Sequence, residues 1–227
     1  GSEYRTEGES FTKISYNGGS SGFSVLTKDG QAIEYGQTTD SLVEAQGRTE
    51  ALIWSINKAE DRSGNYQKFE YFEDSSIGEH RINGISFTLN DSVGVVVANK
   101  VEFIFEERPD ESVGHFSGVQ LSTLKRLSKI NVLSNNTVLK DYQLVYDNTG
   151  VGNISRLADI VQCDPQEACL PLTSFAWTNG SAEFSSQTNS SLQLSTGTYL
   201  NESNRIWFRD VNGDGLPDLL VRNGGNY

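Results

Sequence analysis

Methionine is absent from the 227 residues, and cysteine and histidine occur only twice each. This scarcity argues against zinc. A tetrahedral site on Cys163 and Cys169 needs two further ligands, and His80 and His115 lie far from them in sequence. Also missing are a Gly-x-Ser-x-Gly elbow, a His-Glu-x-x-His pair and a phosphate-cradling Gly-rich loop, the usual openings to an enzyme reading. Positive charge is in short supply too: 18 Lys and Arg against 30 Asp and Glu give a net charge of −12. That balance disfavours a groove neutralising phosphates, so no nucleic acid is expected as partner, and it disfavours an anionic membrane surface. No apolar stretch approaches the roughly 20 residues that cross a bilayer, and the N-terminus lacks the basic-then-apolar pattern of a signal peptide. Gly1-Ser2 reads as a cloning remnant. With no initiator Met and an ending at Tyr227 inside a Gly-rich turn, the expectation is a piece of a longer polypeptide, any signal peptide lying outside it.

What is present points to strands. A hydrophobic content of 36% can supply a core for one large or two small domains. Apolar and polar residues alternate with period two, interrupted by Gly, Asn, Asp and Ser turns, which predicts an all-β fold of antiparallel hairpins forming a large sheet or a β-sandwich-like domain. Residues 23–27 and 31–35 flank Asp29-Gly30, which suits a two-residue type I′ turn. Residues 51–56 and 67–71 flank a longer turn at 61–65 and predict a second hairpin. In residues 100–106, Val101, Phe103 and Phe105 share a core-facing side opposite Lys100, Glu102 and Glu106. Leu139, Tyr142, Leu144 and Tyr146 behave alike, and 130–133, 157–161 and 174–177 add short strands. Residues 122–130 fit either a short amphipathic helix or a strand entering at Leu127, and the strand is preferred.

Near the C-terminus, Asp210, Asn212 and Asp214 place oxygen ligands at alternating positions before Gly215, with the Leu216 carbonyl and Asp218 able to close the shell. Calcium takes six to eight hard oxygen ligands, so this spacing predicts a Ca2+ loop. It differs from an EF-hand, because the apolar run Leu219-Leu220-Val221 that follows suits a strand, which favours a strand-loop-strand site. The alternative is a solvated Asx/Gly turn without metal. Cys163 and Cys169 bracket a short Pro-containing loop and could close a disulfide across a hairpin, which suggests an oxidising compartment; the alternative is two free thiols. The expected organisation is an antiparallel β domain over 3–178, a Ser/Asn-rich linker or loop over 179–198, and the calcium-loop segment over 199–227.

Other candidates for chemistry are weaker. The carboxylates Glu106, Glu107, Asp110 and Glu111 could serve glycoside hydrolysis, but a solvated turn after a strand explains them more simply. His80 and His115 read as surface or turn residues. Trp54, Trp177 and Trp207 could form a sugar-stacking platform, although alternation assigns most aromatics to the core. No catalytic residue emerges.

Several strings in order resemble a known group. They are Tyr4-Arg5-Thr6-Glu7, Lys28-Asp29-Gly30 with Glu34-Tyr35-Gly36, and Trp54 with Asp61-Arg62-Ser63-Gly64-Asn65 and Phe69-Glu70-Tyr71. Val101-Glu102-Phe103 with Glu107-Arg108-Pro109-Asp110, Tyr142 to Tyr146, and Cys163 to Trp177 continue the series. Together they resemble the SpvB-type N-terminal region of Tc-toxin B components and Rhs-like bacterial proteins, over most of the chain. The 210–218 loop resembles an FG-GAP or VCBS repeat, a blade-forming unit of β-propellers that commonly holds calcium, so the final segment is expected to be a fragment of a propeller-type repeat. The resemblance implies a secreted or surface-delivered bacterial β-rich protein in which this chain is shell or scaffold, not an enzyme. Its implied partners are other regions of the same large toxin or partner toxin subunits, with a cell-surface glycan or receptor as the alternative.

Overall fold

The computed structural model describes residues 2–18, 22–95, 99–149 and 153–178, together with the strands Arg205–Arg209 and Asp218–Arg222. The chain divides into two units, Gly1–Gly180 and Ser181–Tyr227.

The first unit is built on one antiparallel sheet. Its strands, in chain order, are β1 (Glu3–Tyr4), β2 (Lys13–Tyr16), β3 (Phe23–Leu26) and β4 (Ala32–Tyr35), then β5 (Leu42–Glu44), β6 (Ala51–Trp54), β7 (Ile56–Glu60) and β8 (Tyr66–Asp74). They continue as β9 (Glu79–Leu89), β10 (Asn99–Phe116), β11 (Val119–Ser134), β12 (Thr137–Asp147), β13 (Arg156–Cys163) and β14 (Thr173–Ser174). Twelve of them pair in the order β1-β2-β3-β4-β7-β8-β9-β10-β11-β12-β13-β14, and β5 and β6 form a separate two-stranded ribbon. Of the two arrangements open to an all-β sequence, the large sheet is the one found. The residues explain why: long strands such as β10 and β11 are joined by two-residue turns that tolerate positive φ, with Ser117-Gly118 (φ 51° and 82°) between them and Asn135-Asn136 (φ 49° and 61°) between β11 and β12.

Four expectations need correction. The turn at Asp29-Gly30 is a three-residue loop: Gly30 N–H donates to Thr27 O (3.0 Å), Thr27 N–H donates to Gln31 O (3.0 Å), and Gly30 alone of the three takes positive φ (84°). A type I turn closed by a left-handed glycine matches strand twist as well as type I′ and leaves Asp29 unstrained. The hairpin around residues 61–65 has β7 as its first arm, with Glu60 opposite Tyr66, while β6 pairs with β5 as Leu42 opposite Trp54. The switch falls at Ser55, whose N–H donates to Ser41 O (2.7 Å) and whose carbonyl accepts from Gly36 N–H (2.9 Å). The carboxylate cluster lies inside β10, not in a turn after it: Glu107 pairs with Lys125 and Ser112 with Thr123, so residues 108–111 bulge opposite Leu124. Pro109 has no N–H for the ladder, and a bulge is where a strand accommodates it. Lastly, the strand expected at 174–177 is only β14, although Phe175 N–H still reaches Ala158 O at 2.7 Å.

Buried apolar side chains are few among the described residues: Leu42, Val43, Tyr66, Leu89, Val119 and Cys163. These residues are spread over β5, β8, β9, β11 and β13, and most other apolar side chains of the sheet are half-buried or exposed. In the second unit, β15 (Arg205–Arg209) pairs antiparallel with β16 (Asp218–Arg222), Arg209 standing opposite Asp218.

Candidate interaction surface

Cross-strand partners lie on the same face, so register alone sorts the two sides of the central sheet. One row runs Phe69, Ile85, Val101, Val132 across β8 to β11. Ile130 opposite Tyr142 and Leu144 opposite Ile160 extend this side to β13. Val101, Ile130, Val132, Tyr142, Leu144 and Ile160 together line an entirely apolar concavity of about 370 Å³. The reverse side is a lattice of charge: Lys58 stands opposite Lys68, Lys68 opposite Ser86, and Ser86 opposite Lys100, which pairs with Glu70 at 2.8 Å. Asn131 likewise donates to Glu102 at 3.1 Å. A half-wet, half-apolar antiparallel sheet is the ordinary pattern when one face meets another layer.

Three of the four carboxylates offered for hydrolysis are already committed. Glu106 pairs with Arg126 (2.7 Å) and Glu107 with Lys125. Asp110 takes both Nε and Nη2 of Arg108 (3.0 and 2.9 Å) and accepts from the backbone N–H and hydroxyl of Ser155 (2.8 and 2.5 Å). Arg108 first, and then Ser155, hold the Asp110 carboxyl far below the usual carboxylate range. Arg126 completes the knot by donating to Asn148 and Ser155 (2.8 and 2.9 Å) and lying 4.4 Å from the Tyr146 ring centre. The bulge thus pins the segment between β12 and β13 onto β10, a structural role. Sequence reading missed Ser155 and Arg126; the signal was Pro109 interrupting an otherwise continuous strand pattern.

The histidines part company. His115 is exposed near the β10–β11 turn, opposite Gln120. His80 is not the surface residue expected: it sits in β9 opposite Glu73, stacked on Tyr71 at 4.7 Å and 20°, with its Nε2 buried and without a hydrogen-bond partner. Burial pushes its pKa down, opposed by Asp40. Trp54 packs edge-on to Phe23 (5.2 Å, 89°), while Trp177 is 53% exposed with its Nε1–H on Leu157 O (2.8 Å). The side chain of Trp207 lies outside the described residues.

Cys163 and Cys169 are joined in a disulfide. They face each other as an antiparallel pair between two backbone hydrogen bonds, Asp164 N–H to Ala168 O (3.0 Å) and Leu170 N–H to Gln162 O (2.9 Å). Such a non-hydrogen-bonded position brings opposing side chains closest. Of the expected calcium ligands, Asp210, Asn212, Asp214 and Leu216 lie outside the described residues, and Asp218 is described only as the first residue of β16. Among the described residues there is no grouping of three or more His, Cys, Asp or Glu able to hold a metal.

No protein-family model matches the sequence, and no curated protein matches it. Solved structures do. The N-terminal domain of effector protein SpvB from Salmonella typhimurium strain LT2 superposes with a TM-score of 0.59 at 12% identity, over 71% of this chain and 68% of that one. The Tc holotoxin pore of Photorhabdus luminescens superposes with a TM-score of 0.67 at 14% identity, over 98% of this chain. The TcdB2-TccC3-Cdc42 structure gives 0.69 at 13% identity over 97%. The fold is SpvB- and Tc-toxin-like. The chain spans 13% of the length of the Tc toxin chains on which it superposes. In this SpvB/Tc-like fold the apolar side of β8 to β13 is a surface available for contact.

Proposed function

We propose that this chain is a non-catalytic structural module, a wall or scaffold panel, of a secreted bacterial Rhs/Tc-like toxin or surface protein. Its partners in this reading are other regions of the same large toxin or partner toxin subunits, lying over the apolar side of the sheet. The supporting observation is the one-sided sheet itself: charge on one face, Val101, Ile130, Val132, Tyr142, Leu144 and Ile160 on the other, in a fold shared with Tc toxin chains. Engagement of Glu106, Glu107 and Asp110 in ion pairs supports a scaffold over a hydrolase. Residues 179–198 act as a linker, and 199–227 form part of an FG-GAP-like repeat in which Asp210, Asn212, Asp214, Leu216 and Asp218 bind Ca2+, so that metal binding adds to folding. The pairing of β15 with β16 around residues 210–217 suits a strand-loop-strand site.

The test is Val132→Asp with Leu144→Asp in the full polypeptide. The panel should keep its far-ultraviolet circular dichroism while assembly, read by size-exclusion light scattering, is lost; unimpaired assembly would reject the reading. A second reading, a glycan- or receptor-binding module, draws on exposed Phe175 and Trp177 (42% and 53%). Glycan-array binding abolished by Trp177→Ala would favour it.

A further inference from the structure

The disulfide joins two unlike cysteines. Cys163 ends β13 and is 2% exposed, whereas Cys169 is exposed on the returning segment. The Gln143 side-chain amide donates to Cys163 Sγ (3.7 Å) and to Asp141 Oδ1 (3.1 Å), so a polar hydrogen already faces the buried sulfur. The loop between the cysteines is folded by Asp164, whose carboxylate accepts from Gln166 N–H (3.0 Å) and Ala168 N–H (2.9 Å). Beyond Cys169 the chain returns as a strap along β13. It is held by the Thr173–Ser174 pairing, Phe175 N–H on Ala158 O, the Ser174 hydroxyl on Asp159 (2.7 Å) and the Trp177 indole on Leu157 O. Its large apolar side chains contribute little: Leu170, Leu172, Phe175 and Trp177 are 58%, 55%, 42% and 53% exposed. Hydrogen bonds at an exposed edge open easily, so the covalent bond is the strap's firmest attachment.

We propose that Cys163–Cys169 is a directed thiol-exchange site for small thiols without net negative charge, in which Cys169 Sγ receives the thiol, Cys163 Sγ leaves, and residues 164–178 are released from the edge of β13. Exchange requires in-line attack by a thiolate, and access decides which sulfur is struck. Burial closes the approach to Cys163 and leaves Cys169 open. The incoming thiolate forms an S–S bond to Cys169 Sγ; the Cys163–Cys169 bond breaks, and its electron pair departs on Cys163 Sγ, beside the Gln143 amide. A second thiolate then attacks the mixed disulfide, releasing the thiol's own disulfide and Cys169 as thiolate. Both protein thiolates take protons from water, so two thiols supply the two electrons that reduce the bond. Preference among thiols follows from charge. Asp141 stands opposite Cys163, with Lys129 3.9 Å from its carboxylate, and Asp164 and Glu167 lie in the loop between the cysteines. Negative charge therefore predominates near the bond in a chain of net charge −12 and repels anionic reagents at low ionic strength.

The experiment exposes the full chain to cysteamine and, in parallel, to 3-mercaptopropionate, quenches with iodoacetamide, and maps the peptides by mass spectrometry. The expected result is cysteamine on Cys169 with the alkyl group on Cys163, and reaction faster with cysteamine than with the anionic thiol by about tenfold at low salt once thiolate fractions are matched. Hydrogen exchange at Leu170 and Phe175 should then accelerate by about tenfold or more while β10–β12 amides stay protected. Gln143→Leu should slow the exchange without altering strap protection in the oxidised protein. An adduct on Cys163, equal rates for the two thiols, or unchanged protection at Leu170 and Phe175 after full reduction would each overturn the proposal.

Discussion

The side-chain amide of Gln46 treats Gln120 as a strand would: it accepts from the Gln120 N–H at 2.9 Å and donates to the Gln120 carbonyl at 3.0 Å. The same Nε2 reaches Ser75 O (3.1 Å), so one glutamine clips β11 to the β8–β9 turn. Gln46→Ala would leave a part-buried backbone N–H and carbonyl without their partner, at a cost of about 1–3 kcal/mol. Urea denaturation should register this as a lower midpoint with an unchanged slope. Gly78→Ala should be worse, since its φ is +69° and an added Cβ would fall 2.0 Å from Gln120 O.

Asp110→Asn should lower the thermal midpoint near neutral pH by several degrees. It weakens both the Arg108 pair and the Ser155 hydrogen bonds that anchor the β12–β13 connection. The native carboxyl is depressed, so its stabilisation is present above the unfolded value of about 3.9 and is lost as pH falls through the native one. Midpoints measured from pH 7 down to 2 should therefore fall more steeply in the native chain than in the variant; parallel curves would refute the assignment.

His80 works in the same pH direction, at a higher pH. Burial lowers its native pKa, so above the unfolded value of about 6.5 both states are neutral, and below it the unfolded chain gains a proton that the native site resists. Asp40 opposes this shift, and the groups facing the ring are Tyr71 and, across the strand pair, Glu73, whose own carboxyl is raised by burial and by Glu44 and Asp74. His80→Phe keeps the stack and removes the proton site. Its midpoint should decline less than the native one between pH 7 and 5.

Calcium is tested by differential scanning calorimetry with calcium and with chelator. If residues 210–218 bind the ion, saturation at about 100 times Kd adds about 2.7 kcal/mol to the state that holds it. Asp214→Ala should abolish the difference. Equal melting with and without calcium in the native chain would remove the metal from the account.

Much of the architecture was legible because a hairpin is a local object. The alternation in residues 100–106 gave β10 its faces, and the turn at 61–65 was placed correctly. What escaped was non-local. Nothing within 51–54 reveals that these residues abandon the main sheet for Leu42–Glu44, because the choice depends on Ser55 meeting Ser41 and Gly36. The carboxylates of β10 gave no hint of their fate either, since Ser155 approaches Asp110 only after the β12–β13 connection folds back. His80 looked polar and superficial from its neighbours, whereas Tyr71, nine positions earlier, decides its surroundings.

With the exception of β4, which waits for β7, every strand of the main sheet from β1 to β14 finds its partner in the next segment of chain. A barrel must satisfy a closure condition on strand number and stagger; an open meander has none. Each hairpin can zip onto the last as it emerges during synthesis, with little loop entropy to overcome. Width is therefore a free parameter of this architecture: hairpins can be added or deleted at either end without re-registering the strands already in place.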